Sequence, residues 1–169
     1  MTGNSELVSE MRYLPMGLDI RGKTCVVIGG GRIGSRKVEN LLRAGASVVL
    51  VSPEATRALM ELAAEGTILW AREPYRIEHL YGAFLAVVAT DDPELNVQVV
   101  EDAEMAGVLV CDASSAERSQ FIFGALKKGE GFTVAVFTDG EDPARARAMR
   151  DQLAAFLEQE TEPDSPAED

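Results

Sequence analysis

The sequence predicts an α/β chain: a doubly wound parallel sheet, then a small β-hairpin and one helix that pair two copies of the chain. Three observations carry this. Short apolar, β-branched runs alternate with stretches of helical periodicity between Thr24 and Cys111, the pattern of a parallel sheet covered on both faces. The first run, Cys25-Val26-Val27-Ile28, stops at Gly29-Gly30-Gly31, so a buried strand enters a tight turn. From Ser114 onward the alternation gives way to two extended segments and a final helix.

In chain order, residues 1–12 read as a lead-in, and Tyr13 to Asp19 as an apolar segment that forms an edge strand or packs on the sheet, its Pro15 being tolerable only there. Arg21-Gly22 turns into the first strand. The helix from Arg32 to Ala44 places Ile33, Val38, Leu41 and Leu42 on one side and stops at Gly45. Ser47 to Val51 is the second strand, completing a βαβ unit of about 30 residues. Ser52-Pro53-Glu54 then reads as a helix start, with serine as cap and proline at the first helical position, and Gly66 as the stop. Thr67 to Trp70 is a third strand, Arg76 to Tyr81 at most a short helix, and Ala83 to Ala89 a buried fourth strand. Thr90 or Asp92 caps a helix begun by Pro93 and closed by Gly107, before a fifth strand, Val108 to Cys111. Phe121 to Lys127 and Phe132 to Thr138 form a hairpin around Lys128-Gly129-Glu130-Gly131, and Asp142-Pro143 starts the last helix, Ala144 to about Leu157. Its apolar Met149, Leu153, Phe156 and Leu157 need a partner surface, since a hairpin plus one helix is too small to bury itself; a homodimer is expected. The domain plan is therefore 13–113 for the sheet, 114–157 for the dimerisation segment and 158–169 for a disordered acidic tail.

Composition narrows the function. At 169 residues and 46% hydrophobic content the chain can build a real core. The formal net charge of -12 excludes nucleic acid and anionic membrane as partners, because both need a basic face. No apolar run approaches the roughly 20 residues that cross a bilayer, and the N-terminus lacks the basic start and apolar stretch of a signal peptide, so a cytoplasmic protein is expected. Cys25 and Cys111 each fall in a buried strand and make no disulfide or zinc framework. No Lys or Arg occurs between Arg76 and Arg118. An anionic ligand must therefore be held by the bases around Arg32, Arg36 and Lys37, or by those from Arg118 onward.

Gly29, Gly31 and Gly34 have the G-x-G-x-x-G spacing that lets a chain turn sharply, approach a pyrophosphate and pack the next helix closely. Strand, turn, helix and second strand supply the context that a Rossmann-type dinucleotide site requires. Ligands of such sheets bind beyond the C-terminal strand ends, which selects the glycine loop with Arg32 and Ile33, the Ser52-Pro53-Glu54 segment, the Thr90-Asp91-Asp92 segment, and Asp112 to Arg118. For Ser52 and Asp92 a plain helix cap is an equal alternative. The acid that ends the second strand in the fingerprint is Ser52 here, and Glu54 is the nearest carboxylate; no basic group follows that strand, which favours NAD over NADP. His79, the only histidine, reads as a surface or packing residue on the far side of the sheet. No nucleophile elbow and no metal-ligand spacing is present, so no metal is expected.

The runs YLPMGLDIRGKTCVVIGGGRIGSRKVENLLRAGASVVLVSPE, AFLAVVATDDPELN, QFIFGAL and DPARARAMRDQL, in that order, resemble the precorrin-2 dehydrogenase family, the NAD-dependent modules of siroheme synthase, some of which also insert iron. The resemblance covers nearly all of 13–157. It implies oxidation of the polycarboxylate precorrin-2 to sirohydrochlorin with NAD as hydride acceptor, NAD contacts at Arg32, Ile33, Pro53 and Glu54, and binding of substrate carboxylates by Arg118, Lys127, Lys128 and Arg145. Where the family commonly has a catalytic aspartate after the fifth strand, this chain has Ser114, with Asp112 two residues earlier as the replacement on the same side of an extended segment. A serine is a weak base and a poor iron ligand. The chain is thus grouped with the branches that dehydrogenate and leave metal insertion to a separate enzyme. A second reading, from a different class, is a non-catalytic NAD(H)-binding redox sensor or scaffold module.

Overall fold

The computed structural model describes residues 12–160. They form two compact units, one spanning Gly17–Ile122 and one made, among these residues, of 12–16 with 123–160. The expected lead-in up to residue 11 and the tail from 161 lie outside the described residues.

The larger unit is a five-stranded parallel sheet in the order β3-β2-β1-β4-β5, built from β1 (Thr24–Gly30), β2 (Ser47–Ala55), β3 (Leu69–Ala71), β4 (Leu85–Val88) and β5 (Leu109–Asp112). Helices α1 (Arg32–Arg43), α2 (Arg57–Ala64) and α3 (Pro93–Met105) make crossovers, and a single 3-10 turn, Ile77–Leu80, lies between β3 and β4. Strand order reverses between β1 and β4, which places a crevice above the C-terminal end of β1. The central strands are buried on both faces because each carries apolar side chains at successive positions. Val26 and Ile28 of β1 join Ala86, Val88 and Val110 in a cluster under Val99, Val100 and Ala103 of α3, with Leu80 closing it. Cys25 and Val27 point the other way; there Val38 and Leu41 of α1 and Leu59 of α2 are buried.

Several boundaries differ from the sequence expectation, whereas the capped start of α3 agrees with it. Ser52-Pro53-Glu54 does not begin a helix. β2 continues to Ala55, with a register shift that pairs Gly30 with Ala55. The Ser52 hydroxyl is used to accept the Gly30 N–H at 3.0 Å, and Trp70 Nε1 donates to the Ser52 carbonyl at 2.9 Å, so the extended form is held from both sides. Thr56 is the cap of α2 instead. Asp92 caps α3, accepting the N–H groups of Glu94 and Leu95 at 3.0 and 3.1 Å, with Pro93 at the first helical position. Residues 14–20 form no strand; Leu14, Met16 and Leu18 are exposed and Ile20 is buried. In α1, Ile33 is exposed at the cavity wall while Lys37 is buried.

In the smaller unit β6 (Ala125–Lys128) pairs antiparallel with β7 (Thr133–Val136), and α4 (Pro143–Glu160) packs on the hairpin. Val134, Val136, Ala146 and Ala154 are buried there. The helix runs three residues into the stretch expected to be disordered, and Lys127 pairs with Glu158 at 3.1 Å. Leu126, Met149, Leu153, Phe156 and Leu157 remain exposed within the chain.

Candidate dinucleotide and substrate-loop site

The glycine loop is shaped by contacts that no side chain would survive. Gly29 has φ +108°, and a Cβ there would meet the Ala89 carbonyl; one on Gly30 would meet the Glu54 carbonyl, and one on Gly34 the Gly29 carbonyl. Gly31 is different: nothing lies within 4 Å of its Cβ position. Three glycines are therefore needed for packing, and the fourth leaves the approach to α1 open. Gly31 is also the N-cap of α1, with no side chain capping it and no acid in the first turn. Among the described residues no side chain caps these first N–H groups, and with the helix dipole behind them they fit a pyrophosphate.

Above this loop lies a cavity of about 840 Å3. Gly29, Gly31, Arg32, Ile33, Ser52, Pro53, Glu54, Thr90 and Asp91 line it, while Gly34 packs beneath. Thr56, Tyr75 and Leu95 also line it, and sequence reasoning missed them. Thr56 could have been found as a threonine in the capping position before the helical run of α2; its Oγ1 also lies 2.7 Å from Ser35 Oγ. Tyr75 carried no signal; its hydroxyl donates to Asp102 at 3.0 Å, and burial followed by that bond raises its pKa above the usual tyrosine range. His79 does not line the cavity but packs its ring 6.1 Å from that of Tyr75, with Nε2 3.2 Å from Glu73. A base does reach the end of β2, contrary to the linear reading: Arg72, stacked over Trp70 at 5.3 Å, donates to the Pro53 carbonyl at 3.4 Å.

Beyond β5 the chain folds into a polar knot around Asp112, whose side chain is 0% exposed. Oδ1 accepts the Ser114 N–H at 2.8 Å and the Ser114 hydroxyl at 2.6 Å; Oδ2 accepts Arg118 Nε at 2.8 Å and lies 2.7 Å from Arg118 Nη2. Asp112 and Ser114 do meet, yet through a turn rather than along one face of a strand, because Asp112 side chain and Ser114 backbone close an Asx turn. The Ser119 hydroxyl accepts the Asp112 N–H at 2.9 Å and locks the loop back on the strand. Asn96, 2% exposed, bridges from α3: its Oδ1 accepts the Thr90 hydroxyl at 2.6 Å, and its Nδ2 reaches the Thr90 carbonyl at 3.2 Å and Ser114 Oγ at 3.4 Å.

The other sequence-nominated bases belong to the smaller unit. Lys127 is paired with Glu158, Lys128 and Arg145 are exposed, and the Arg145 N–H donates to Asp142 at 2.8 Å. Among the described residues no group of three or more His, Cys, Asp or Glu side chains could hold a metal ion. Cys25 and Cys111 are free and buried; burial pushes the Cys25 thiol up to about 11 and raises that of Cys111. Lys37 is buried as well, and desolvation lowers its pKa.

Comparison with known proteins agrees with this geometry. Siroheme synthase 1 of Serratia proteamaculans is 36% identical over 147 residues, covering 87% of this chain and 31% of that protein. Siroheme synthase of Chromobacterium violaceum is 38% identical over 147 residues, with the same coverage of 87% and 31%. The chain thus spans 31% of the length of these relatives. The solved structure described as SirC, precorrin-2 dehydrogenase, superposes with a TM-score of 0.72 at 26% identity, covering 85% of this chain and 71% of that one. The family model NAD_binding_7, described as "Putative NAD(P)-binding", matches residues 16–125, which contain the glycine loop, the cavity wall and the Asp112 knot. The chain belongs to this NAD(P)-binding family.

Proposed function

We propose that the chain is a precorrin-2 dehydrogenase that uses NAD to form sirohydrochlorin, working as a cytoplasmic homodimer without a nucleic acid or membrane partner. The observation that carries the reading is the join between two features: an open glycine cradle under a large cavity, and a hydrogen-bonded chain from the cavity wall at Thr90 through buried Asn96 and exposed Ser114 to the Arg118 guanidinium. The similarity to siroheme synthases and to the precorrin-2 dehydrogenase structure supports it.

When bound, NAD supplies the hydride acceptor. Backbone N–H groups at Gly31 and Arg32 hold the pyrophosphate, and Glu54, at the cavity edge, takes the ribose hydroxyls in place of the acid missing at Ser52. Arg118 presents a side chain 38% exposed to a substrate carboxylate while Asp112 holds its other edge. Lys127, Lys128 and Arg145 are assigned to further carboxylates on the family resemblance. Dehydrogenation removes a hydride and a proton. Asp112 has four donors on its two oxygens, and the Ser114 hydroxyl gives its proton to Asp112. With its oxygens engaged by Ser114 and Arg118, Asp112 is assigned to hold that loop, and the protein's main contribution is positioning. Metal insertion lacks a carboxylate at 114 and is not assigned to this chain.

The test is anaerobic incubation of the purified chain with precorrin-2 and NAD. Sirohydrochlorin and NADH should form together, and NADP should serve more weakly. Dinucleotide binding with no product would overturn the enzyme reading in favour of the NAD(H)-binding module. Adding ferrous ion to sirohydrochlorin should give siroheme no faster than without protein.

A further inference from the structure

Lys37, Asn96 and Asp112 are the buried polar or charged residues among those described, and two of them belong to one network. Burying an amide costs free energy unless each of its polar atoms is paired. Asn96 meets that condition only by touching two loops at once. Its orientation is fixed, since a flipped amide would set its oxygen against the Thr90 carbonyl that Nδ2 now reaches at 3.2 Å. The donors then run in one direction. Asn96 Nδ2 gives to Ser114 Oγ, Ser114 gives to Asp112, and Arg118 Nη2 gives to Ser114 at 3.3 Å while Nε gives to Asp112. Ser114 itself is exposed, so hydrogen bonds rather than packing hold its hydroxyl.

We infer that Asn96 is a positioning residue: it registers the loop after β4, which lines the dinucleotide cavity, against the loop after β5, so that Ser114 and Arg118 stand at a set reach from that cavity. This goes beyond the proposed activity and rests on it only where turnover is measured. The amide spans 18 residues of sequence between α3 and Ser114 and ties both loops to the first turn of a capped helix.

The test uses the full chain with Asn96→Ala and Asn96→Asp. Aspartate keeps the acceptor for the Thr90 hydroxyl and loses the donors to the Thr90 carbonyl and to Ser114 together, so it removes both Nδ2 arms while alanine removes all three bonds. Amide hydrogen exchange over 113–119 should quicken by about tenfold in both variants, the scale of one lost hydrogen bond. Exchange in β1 and β4 should stay within about threefold, while NAD affinity should fall in Asn96→Ala, which loses both bonds to Thr90 in the cavity wall. With precorrin-2, KM for the tetrapyrrole should rise, and in that constant Asn96→Ala combined with Ser114→Ala should be no worse than Ser114→Ala alone. Unchanged exchange over 113–119, uniform loosening of the whole sheet, or additive losses with Ser114→Ala would overturn the inference. If the parent chain does not oxidise precorrin-2, the function reading fails while the exchange measurement still decides the role of Asn96.

Discussion

Asp112 shows how far a residue's role depends on what surrounds it. Its carboxylate is fully buried and closed by Ser114 and Arg118, so it acts as an anchor for the loop. Removing one partner of a buried ion pair leaves the other uncompensated; because Arg118 keeps partial access to water, Asp112→Ala should cost about 2–4 kcal/mol in a denaturant titration. The same variant should raise KM for precorrin-2 through a misplaced Arg118. Undiminished turnover at unchanged KM would remove Asp112 from the site. The cysteines make a second residue-scale prediction. The Cys25 thiol is held at about 11 against an ordinary value of 9.0, and Cys111 is raised too. A raised native pKa means that the folded state keeps a proton the unfolded state gives up, so stability is complete below about 9 and falls as pH climbs toward 11. Neither thiol should react with a thiol reagent in the native protein at pH near 8, and both should react once it is unfolded.

At the scale of the element, the strand-turn-helix from β1 to α1 divides its glycines into two jobs. Gly29→Ala and Gly34→Ala drive a methyl into backbone, at Ala89 and Gly29 respectively, and should lower the melting temperature markedly. Gly31→Ala meets no protein atom, so the melting temperature should barely move while dinucleotide affinity falls by about tenfold or more, because the methyl occupies the phosphate approach. A titration of NAD into both sets of variants separates the jobs. The G-x-G-x-x-G spacing was readable because a strand, a glycine turn and a helix follow one another within a few residues, although only Gly29 of the three uses a positive φ. Gly30 was passed over because its constraint comes from Glu54 and Ala55 on the neighbouring strand. The Ser52-Pro53-Glu54 segment misled for a related reason: serine followed by proline is a sound helix start, and only the Gly30 and Trp70 hydrogen bonds hold it extended.

At the scale of the molecule, α4 buries Ala146 and Ala154 against its hairpin and leaves Leu153 and Phe156 exposed at 47% and 59%. The proposed homodimer covers that face. Leu153→Glu with Phe156→Glu should convert a dimer to a monomer in analytical ultracentrifugation without unfolding the sheet unit, whereas a parent chain that sediments as a monomer would end the proposal. The apolar positions of the helix could be read from the sequence, yet the surface that covers them could not, since exposure is a property of the assembly.

The sequence by itself determined the alternation of strands and helices, the parallel sheet, the glycine turn and the place of the crevice. Each follows from hydrophobic period, turn chemistry and the handedness of crossovers, which act over a few residues. Only the tertiary structure decided that Asp112 is spent on Arg118, that Asn96 joins Thr90 to Ser114, and that Arg72 reaches Pro53 from the next strand. These polar contacts, six to nineteen residues apart, follow no hydrophobic period or turn pattern, and a buried polar group takes its role from whichever partners the packing brings within hydrogen-bond reach.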